Sequence, residues 1–304
     1  MIRMPLDSKG RTLLRGCGTA LATPFTRSGA VDEKALRDFV EWQVTEGIHF
    51  VVPCGSTGEA ATMSGDEHRR VVEITVEQVN GRVPVVAGAG SNDTKKAIAL
   101  SKEMLAAGAT HLLHTSPMYN KPPQRGIAAH FRAIADEVEL PLIVYNVPGR
   151  TGSNVEASTT LELAEHPNIV AVKEASGNLA QIAEIIRGKP DDFTVLSGDD
   201  ALTLAVMAEG GDGVISVTSN TVPGYASRVC ELYDEGNVDG ARELAHRLAE
   251  WTIAAFVESN PIPVKAGLSM MGKFENVLRL PLVPLADSKS DAVRNALRAA
   301  GALS

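Results

Sequence analysis

Eight short apolar runs punctuate this chain, and the stretches between them are long enough for one helix each. The runs are Thr19–Ala22, Phe50–Pro53, Pro84–Ala87, His111–His114, Leu142–Tyr145, Val170–Lys173, Thr194–Leu196 and Val214–Val217. Most are β-branched and apolar throughout, the pattern of strands covered on both faces. The intervening segments carry helical periodicity and end signals. Ser64-x-x-Glu67 forms a capping box, Val72, Val76 and Val79 follow at helical spacing, and Asn80-Gly81 can stop the helix. Leu36, Phe39, Val40 and Val44 line one face before Gly47, as Leu179, Ile182 and Ile186 do before Gly188.

Strand–helix alternation repeated eight times predicts an α/β fold, a (β/α)8 TIM barrel. A doubly wound open sheet is the rival. It usually has a Gly-rich turn after the first strand, which Thr19-Ala20-Leu21-Ala22-Thr23-Pro24 lacks. Val86-Ala87-Gly88-Ala89-Gly90-Ser91 matches the dinucleotide fingerprint poorly and follows the third strand, and no P-loop occurs. After Val217 the strand pattern stops. Ala241, Leu244, Leu248, Trp251 and Ala255 mark a long helix, with further helical stretches at Val264–Met271 and Asp287–Ala300. The expected organisation is a barrel over 1–222, its first 16 residues a polar extension, and a C-terminal helical appendage over 223–304.

The formal charge is −8, without basic runs, which argues against nucleic acid or an anionic membrane surface as the main partner. Three widely spaced cysteines, Cys17, Cys54 and Cys230, form no disulfide framework or zinc motif and read as buried thiols. No apolar run is long enough to span a bilayer, and the charged start lacks a signal-peptide pattern, so a cytoplasmic protein is expected.

Barrel active sites lie at the C-terminal ends of the strands. Lys173 closes Ile169-Val170-Ala171-Val172-Lys173, and its stem should point into an apolar mouth. There the ammonium loses hydration, its pKa falls, and a neutral amine can attack a ketone. Pairing with Glu174, or reaching out to water, is the alternative use of this lysine. Gly55-Ser56-Thr57-Gly58-Glu59 offers two hydroxyls and a helix start whose N–H groups can hold a carboxylate, or else a simply capped loop. Tyr119 and Tyr145, both at strand ends, can relay protons when bonded to a hydroxyl such as Thr57, or are ordinary half-buried packing. Arg150 follows a Pro-Gly turn, placed to fork onto a carboxylate or to form a surface ion pair. His111 and His114 point to opposite faces of a strand and do not suit a shared metal. Asp199-Asp200 has no third ligand at a useful spacing and reads as a capping turn; no metal site is expected.

Taken together in order, Gly-Ser-Thr-Gly-Glu at 55–59, Tyr-Asn-Val-Pro-Gly-Arg-Thr-Gly at 145–152, Val-Lys-Glu-Ala at 172–175, Ser-Gly-Asp-Asp at 197–200, Gly-Val-Ile-Ser-Val-Thr at 213–218 and Asn-Pro-Ile-Pro-Val-Lys at 260–265 resemble the pyruvate-dependent Schiff-base lyases. These are related to dihydrodipicolinate synthase and N-acetylneuraminate lyase, and the resemblance runs from about Gly18 to Gly272. Within that superfamily Pro-Met-Tyr-Asn-Lys-Pro at 117–122 and Arg150 most resemble the 4-hydroxy-tetrahydrodipicolinate synthases. The resemblance implies condensation of pyruvate with L-aspartate-4-semialdehyde, the first committed step toward diaminopimelate and lysine. It implies Lys173 as the Schiff-base lysine, Tyr145 as proton relay linked through Thr57 to Tyr119, and Ser56 and Thr57 on the pyruvate carboxylate. It also implies Arg150 on the semialdehyde carboxylate, Gly198 and Ile215 shaping the pyruvate pocket, and no metal or organic cofactor. Tyr119 would reach a neighbouring subunit's site, making a dimer the smallest complete unit and a dimer of dimers the usual assembly.

Two departures from the family pattern stand out. Ser56 replaces a common Thr, as in sialate lyases, and Met118 replaces an aromatic beside Tyr119. Gly65, Lys96 and Met118 stand where lysine-sensitive members carry His, Glu and Tyr, so lysine inhibition is expected to be weak or absent. The alternatives are an aldolase or dehydratase acting on a sugar-derived 2-keto acid, and a non-catalytic keto-acid-binding paralogue.

Overall fold

The computed structural model describes residues 4–303; the first three residues of the expected polar extension lie outside them. Eight strands form one sheet: β1 (Gly16–Ala20), β2 (Phe50–Val52), β3 (Val86–Gly88), β4 (His111–Thr115), β5 (Leu142–Asn146), β6 (Ile169–Glu174), β7 (Thr194–Ser197) and β8 (Gly213–Ser216). Their order is β2-β1-β8-β7-β6-β5-β4-β3, and a parallel bridge from Val51 to Val85 joins the two ends of that order. The fold is a (β/α)8 barrel, with the expected helix in every strand-to-strand interval and further α-helices after the last strand.

The first strand lies earlier than its apolar residues suggest, at Gly16–Ala20 rather than from Thr19 to Ala22. Glycine is a poor strand former, so propensity hides this segment. Packing explains it: a Cβ at Gly18 would fall 2.0 Å from the Phe50 ring, so only glycine lets the aromatic side chain lie on the strand.

Five of the helices start at a side-chain oxygen that accepts from the first turn. Ser64 and Glu67 make the expected reciprocal box ahead of Gly65–Val79. Asp32, Asp93, Asn178 and Asn237 accept from backbone N–H groups at four other helix starts. Each such cap stabilises its helix by about 1 kcal/mol.

By density of contacts the chain falls into two compact units, 17–85 with 216–303, and 4–16 with 86–215. In the first, the expected stripe on Glu33–Thr45 buries Leu36, Phe39 and Val40, but Gln43 takes the place foreseen for Val44. Its amide is satisfied there: Thr19 donates to Oε1 at 2.7 Å, and Nε2 reaches the carbonyls of Ser219 and Asn220. The C-terminal helices Pro223–Asp234, Val238–Ala254, Ile262–Met270 and Asp287–Ala299 belong to this unit. Trp251 is fully buried with its indole donating to the Thr218 carbonyl.

In the second unit Phe131, Leu142, Val144, Val172, Ile182 and Val195 belong to one apolar core. The stripe foreseen on Leu179–Gly188 is rotated. Ile185 is buried, Ile186 only partly, and Leu179, the helix's first residue, is half out in solvent. All three cysteines are buried, as expected. No helix among the described residues is long and apolar enough to cross a membrane.

Candidate active site

The parallel register of β5, β6 and β7 sets Lys173 between Tyr145 on one side and Leu196 on the other. Lys173 is 4% exposed, and its Nζ lies 4.3 Å from the centre of the Tyr145 ring. Burial strips the ammonium of hydration and pulls its pKa down to about 7. Asp200 opposes that fall and Arg150 adds to it. Burial moves the Tyr145 phenol the other way, up to about 12, with Arg150 opposing. Near neutral pH the pair therefore combines an amine with a large uncharged fraction and a phenol that keeps its proton. Those are a nucleophile and a proton carrier side by side.

Glu174 does not neutralise this lysine. Strand alternation sends its side chain to the other face. There its carboxylate accepts from Asn146 Nδ2 at 3.1 and 3.0 Å, from Gln181 Nε2 at 3.0 Å and from the Ser176 N–H at 2.7 Å. The Lys173–Glu174 pairing held open by the sequence is thus not formed. Asp199 caps the short helical turn Asp200–Leu202 through the Ala201 N–H, as its sequence position suggests.

Gly198 leaves space beside the lysine. A Cβ there would fall 2.6 Å from Ala175 Cβ and 3.1 Å from Lys173 Cε. Ile215, in β8, is fully buried. Arg150 sits in the single-turn helix Pro148–Thr151 with an exposed side chain, and its charge acts on both Lys173 and Tyr145. Tyr119 is not gathered into this buried group. It is 89% exposed at a backbone φ of 72°, its N–H donating to the Thr151 carbonyl.

The hydroxyl loop belongs to the other unit. Ser56 is exposed and Thr57 buried. The loop does not open a helix, contrary to the sequence expectation. Glu59 adopts a left-handed backbone (φ 55°), a 3-10 turn occupies Ala60–Thr62, and the helix begins only at Gly65. The free N–H groups of that helix therefore lie beyond the loop. Asn260 Nδ2 donates to Thr57 Oγ1 at 2.8 Å. Glu59, wholly buried, pairs with Lys265 at 2.7 Å and accepts from the Arg279 N–H at 3.0 Å. Asn260 and Lys265 belong to the Asn-Pro-Ile-Pro-Val-Lys motif at 260–265, to which the sequence alone attaches no role. A lysine inside the apolar run Ile262-Pro263-Val264-Lys265-Ala266-Gly267-Leu268 was the available sign that a buried anion had to be nearby.

The two strand histidines have separate partners, His111 with the Thr12 carbonyl and His114 with Ser101. Burial lowers them to about 4 and about 3. Among the described residues no three His, Cys, Asp or Glu side chains gather as a metal-binding set.

The profile of the Dihydrodipicolinate synthetase family matches residues 13–300. The 4-hydroxy-tetrahydrodipicolinate synthase of Nitratidesulfovibrio vulgaris strain Miyazaki F is 51% identical over 288 residues, covering 94% of this chain and 98% of the relative. That of Koribacter versatilis is 53% identical over 273 residues, covering 90% and 91%. Among solved structures, dihydrodipicolinate synthase from Thermotoga maritima superposes with a TM-score of 0.94 at 41% identity, covering 96% of this chain and all of the other. The Acinetobacter baumannii enzyme complexed with pyruvate gives 0.93 at 42% identity, covering 95% and 99%. The chain belongs to the dihydrodipicolinate synthetase family.

Proposed function

We propose that this protein is a Schiff-base synthase that condenses pyruvate with L-aspartate-4-semialdehyde to 4-hydroxy-tetrahydrodipicolinate. The reaction is the first committed step toward diaminopimelate and lysine. The observation that carries the reading is Lys173, a buried amine lowered to about 7 with a protonated phenol against it, in a chain of this family.

The uncharged Lys173 amine adds to the ketone carbon of pyruvate, and loss of water gives a protonated imine. That imine withdraws electrons from the neighbouring methyl, which gives up a proton and becomes an enamine. The enamine carbon bonds to the aldehyde carbon of the second substrate. The substrate's own amine then attacks the imine carbon, closes the ring and releases Lys173. Tyr145 moves the protons, in relay with Thr57 and with Tyr119 contributed across a homo-oligomer, a dimer or a dimer of dimers. Ser56 and Thr57 take the pyruvate carboxylate, and Arg150 takes the semialdehyde carboxylate with its planar fork. Gly198 and Ile215 bound the pyruvate pocket. Lys173 itself supplies the electron sink, so no further cofactor enters the scheme, which runs in the cytoplasm.

Pyruvate with borohydride, followed by mass spectrometry, should leave a reduced adduct on Lys173. Well-folded protein without an adduct would favour a binding-only paralogue. A coupled assay with aspartate semialdehyde beside a panel of sugar-derived 2-keto acids decides the substrate. Arg150→Ala should cut kcat/KM for the semialdehyde by about 10²-fold, as losing a charged hydrogen-bonded contact does, while the pyruvate adduct still forms. Faster turnover of a sugar acid than of the semialdehyde would move the assignment to an aldolase or dehydratase.

Millimolar L-lysine should leave initial rates nearly unchanged. A cation at Lys96 repels the ammonium groups of lysine, where lysine-sensitive relatives offer an acid. Saturable inhibition would overturn that expectation.

A further inference from the structure

The geometry points to Asn260 as a positioning residue that sets the direction of the Thr57 hydroxyl; the assignment rests on the synthase reading of the Thr57 loop. Thr57 is 3% exposed and Asn260 5%, so no bulk water competes at either group. The amide nitrogen Nδ2 lies 2.8 Å from Thr57 Oγ1. An amide nitrogen only donates, whereas a hydroxyl carries one proton to give and lone pairs to receive. With Asn260 donating, Oγ1 is the acceptor in this contact, and its own proton is directed elsewhere. Thr57 is thereby held as an outgoing donor, the polarity needed to meet a substrate carboxylate or a phenol oxygen.

The side chains around this contact keep it in register. Lys265, five residues beyond Asn260, is fully buried and donates to the Thr23 carbonyl at 2.8 Å and to Glu59 at 2.7 Å. Glu59 lies two residues beyond Thr57, and the Arg279 N–H holds its other oxygen at 3.0 Å. The segment that delivers the amide and the loop that carries the hydroxyl are therefore tied together at a second point by a buried ion pair. Sheet and helix propensities say nothing of this arrangement; it comes from the C-terminal region folding against the loop after β2.

Asn260→Asp tests the direction because it keeps the size and reverses the contact: an ionised carboxylate accepts, and the Thr57 proton turns toward it. Asn260→Ala removes the partner, and serves if the Asp variant does not fold. In assays with pyruvate and aspartate semialdehyde, Asn260→Asp should lower kcat/KM for pyruvate by about 10²-fold at pH 8, at the low end of what a positioned proton-transfer group contributes. Burial raises the pKa of the introduced acid. Its activity relative to the parent should therefore climb toward pH 6, where the protonated acid donates as the amide did, while the Asn260→Ala ratio stays flat. Lys265 with Glu59, and Arg279 with Glu67, are common to every variant, and the ratio to parent cancels the titration of Lys173.

Thr57→Val supplies the second readout. If Asn260 acts through Thr57, either substitution at 260 should cost under about twofold in the Thr57→Val background, because coupled residues are not additive. A full loss in that background, or an Asn260→Asp ratio that does not change with pH, would overturn the assignment and leave the synthase reading intact. Failure of the parent to trap pyruvate on Lys173, or a Thr57→Val variant with parental turnover, would defeat the synthase reading itself and this assignment with it.

Discussion

Two buried lysines in this protein meet the same surroundings with one difference. Lys173, at the end of β6, and Lys265, in the helix Ile262–Met270, are both shielded from water, and each Nζ sits 4.3 Å from the centre of an aromatic ring, Tyr145 or Phe25. Burial pulls both amines below their ordinary pKa. Lys265 is met by Glu59 at 2.7 Å, which pulls it back toward the charged form. Lys173 has only the more diffuse influence of Asp200 in that direction, with Arg150 opposing, and settles at about 7. Burial thus makes a lysine reactive only where no carboxylate is placed to keep it charged. The carboxylate next to Lys173 in sequence, Glu174, is turned to the other face and satisfied by neutral donors.

The largest effect should separate the two lysines by chemistry. Lys173→Met should lower turnover by about 10⁴-fold or more and abolish the pyruvate adduct, because the covalent route is lost. Retention of a tenth of parental turnover would mean that Lys173 does not carry the covalent route. Lys265→Met should do the reverse. It leaves Glu59 charged, buried and unpaired, and should cost about 3–5 kcal/mol in denaturant unfolding. The fraction that stays folded should still trap pyruvate on Lys173. Adding Glu59→Gln should restore much of that loss; if the double variant is no more stable, the pair is not what Lys265 contributes.

A smaller effect, of opposite sign on stability, is expected at Lys173. The folded-state pKa of Lys173, about 7, lies below its ordinary 10.5, so the unfolded chain binds more protons between those values. Stability therefore rises with pH across that window and falls as pH drops through it, levelling off below about 7. Lys173→Met removes this burden and should raise the stability of the substrate-free protein at neutral pH by about 1–3 kcal/mol, the scale of burying a polar group in an apolar site. The rate of reductive trapping by pyruvate should follow the same ionisation. It should rise about tenfold per pH unit below 7 and flatten above it. A trapping rate with no dependence on pH between 6 and 8 would mean that the amine is not titrating there.

Much of the barrel is legible in the sequence. Eight runs apolar on both faces with a helix-length interval after each leave few other ways to bury so much strand. Caps such as Ser64 with Glu67 mark helix ends locally, because both partners lie within one turn. Gly16–Ala20 was misplaced because its reason, the Phe50 ring lying on Gly18, is a contact across strands. Lys173 and Tyr145 were readable as strand-end residues, and the register that makes them neighbours follows from the parallel pairing. Asn260 was not. Its partner lies 203 positions away in the chain, and no local pattern marks an amide as the donor to a particular hydroxyl.

Periodicity and residue type alone settled that this chain would build a parallel barrel and carry a lysine at a strand end. Both are local properties, set by side-chain alternation and by what a strand can bury. Which lysine is held in an ion pair, and which hydroxyl is made to donate, depend on distant segments meeting. Glu59 with Lys265, and Thr57 with Asn260, are joined only in the folded chain, where low exposure gives each contact its strength.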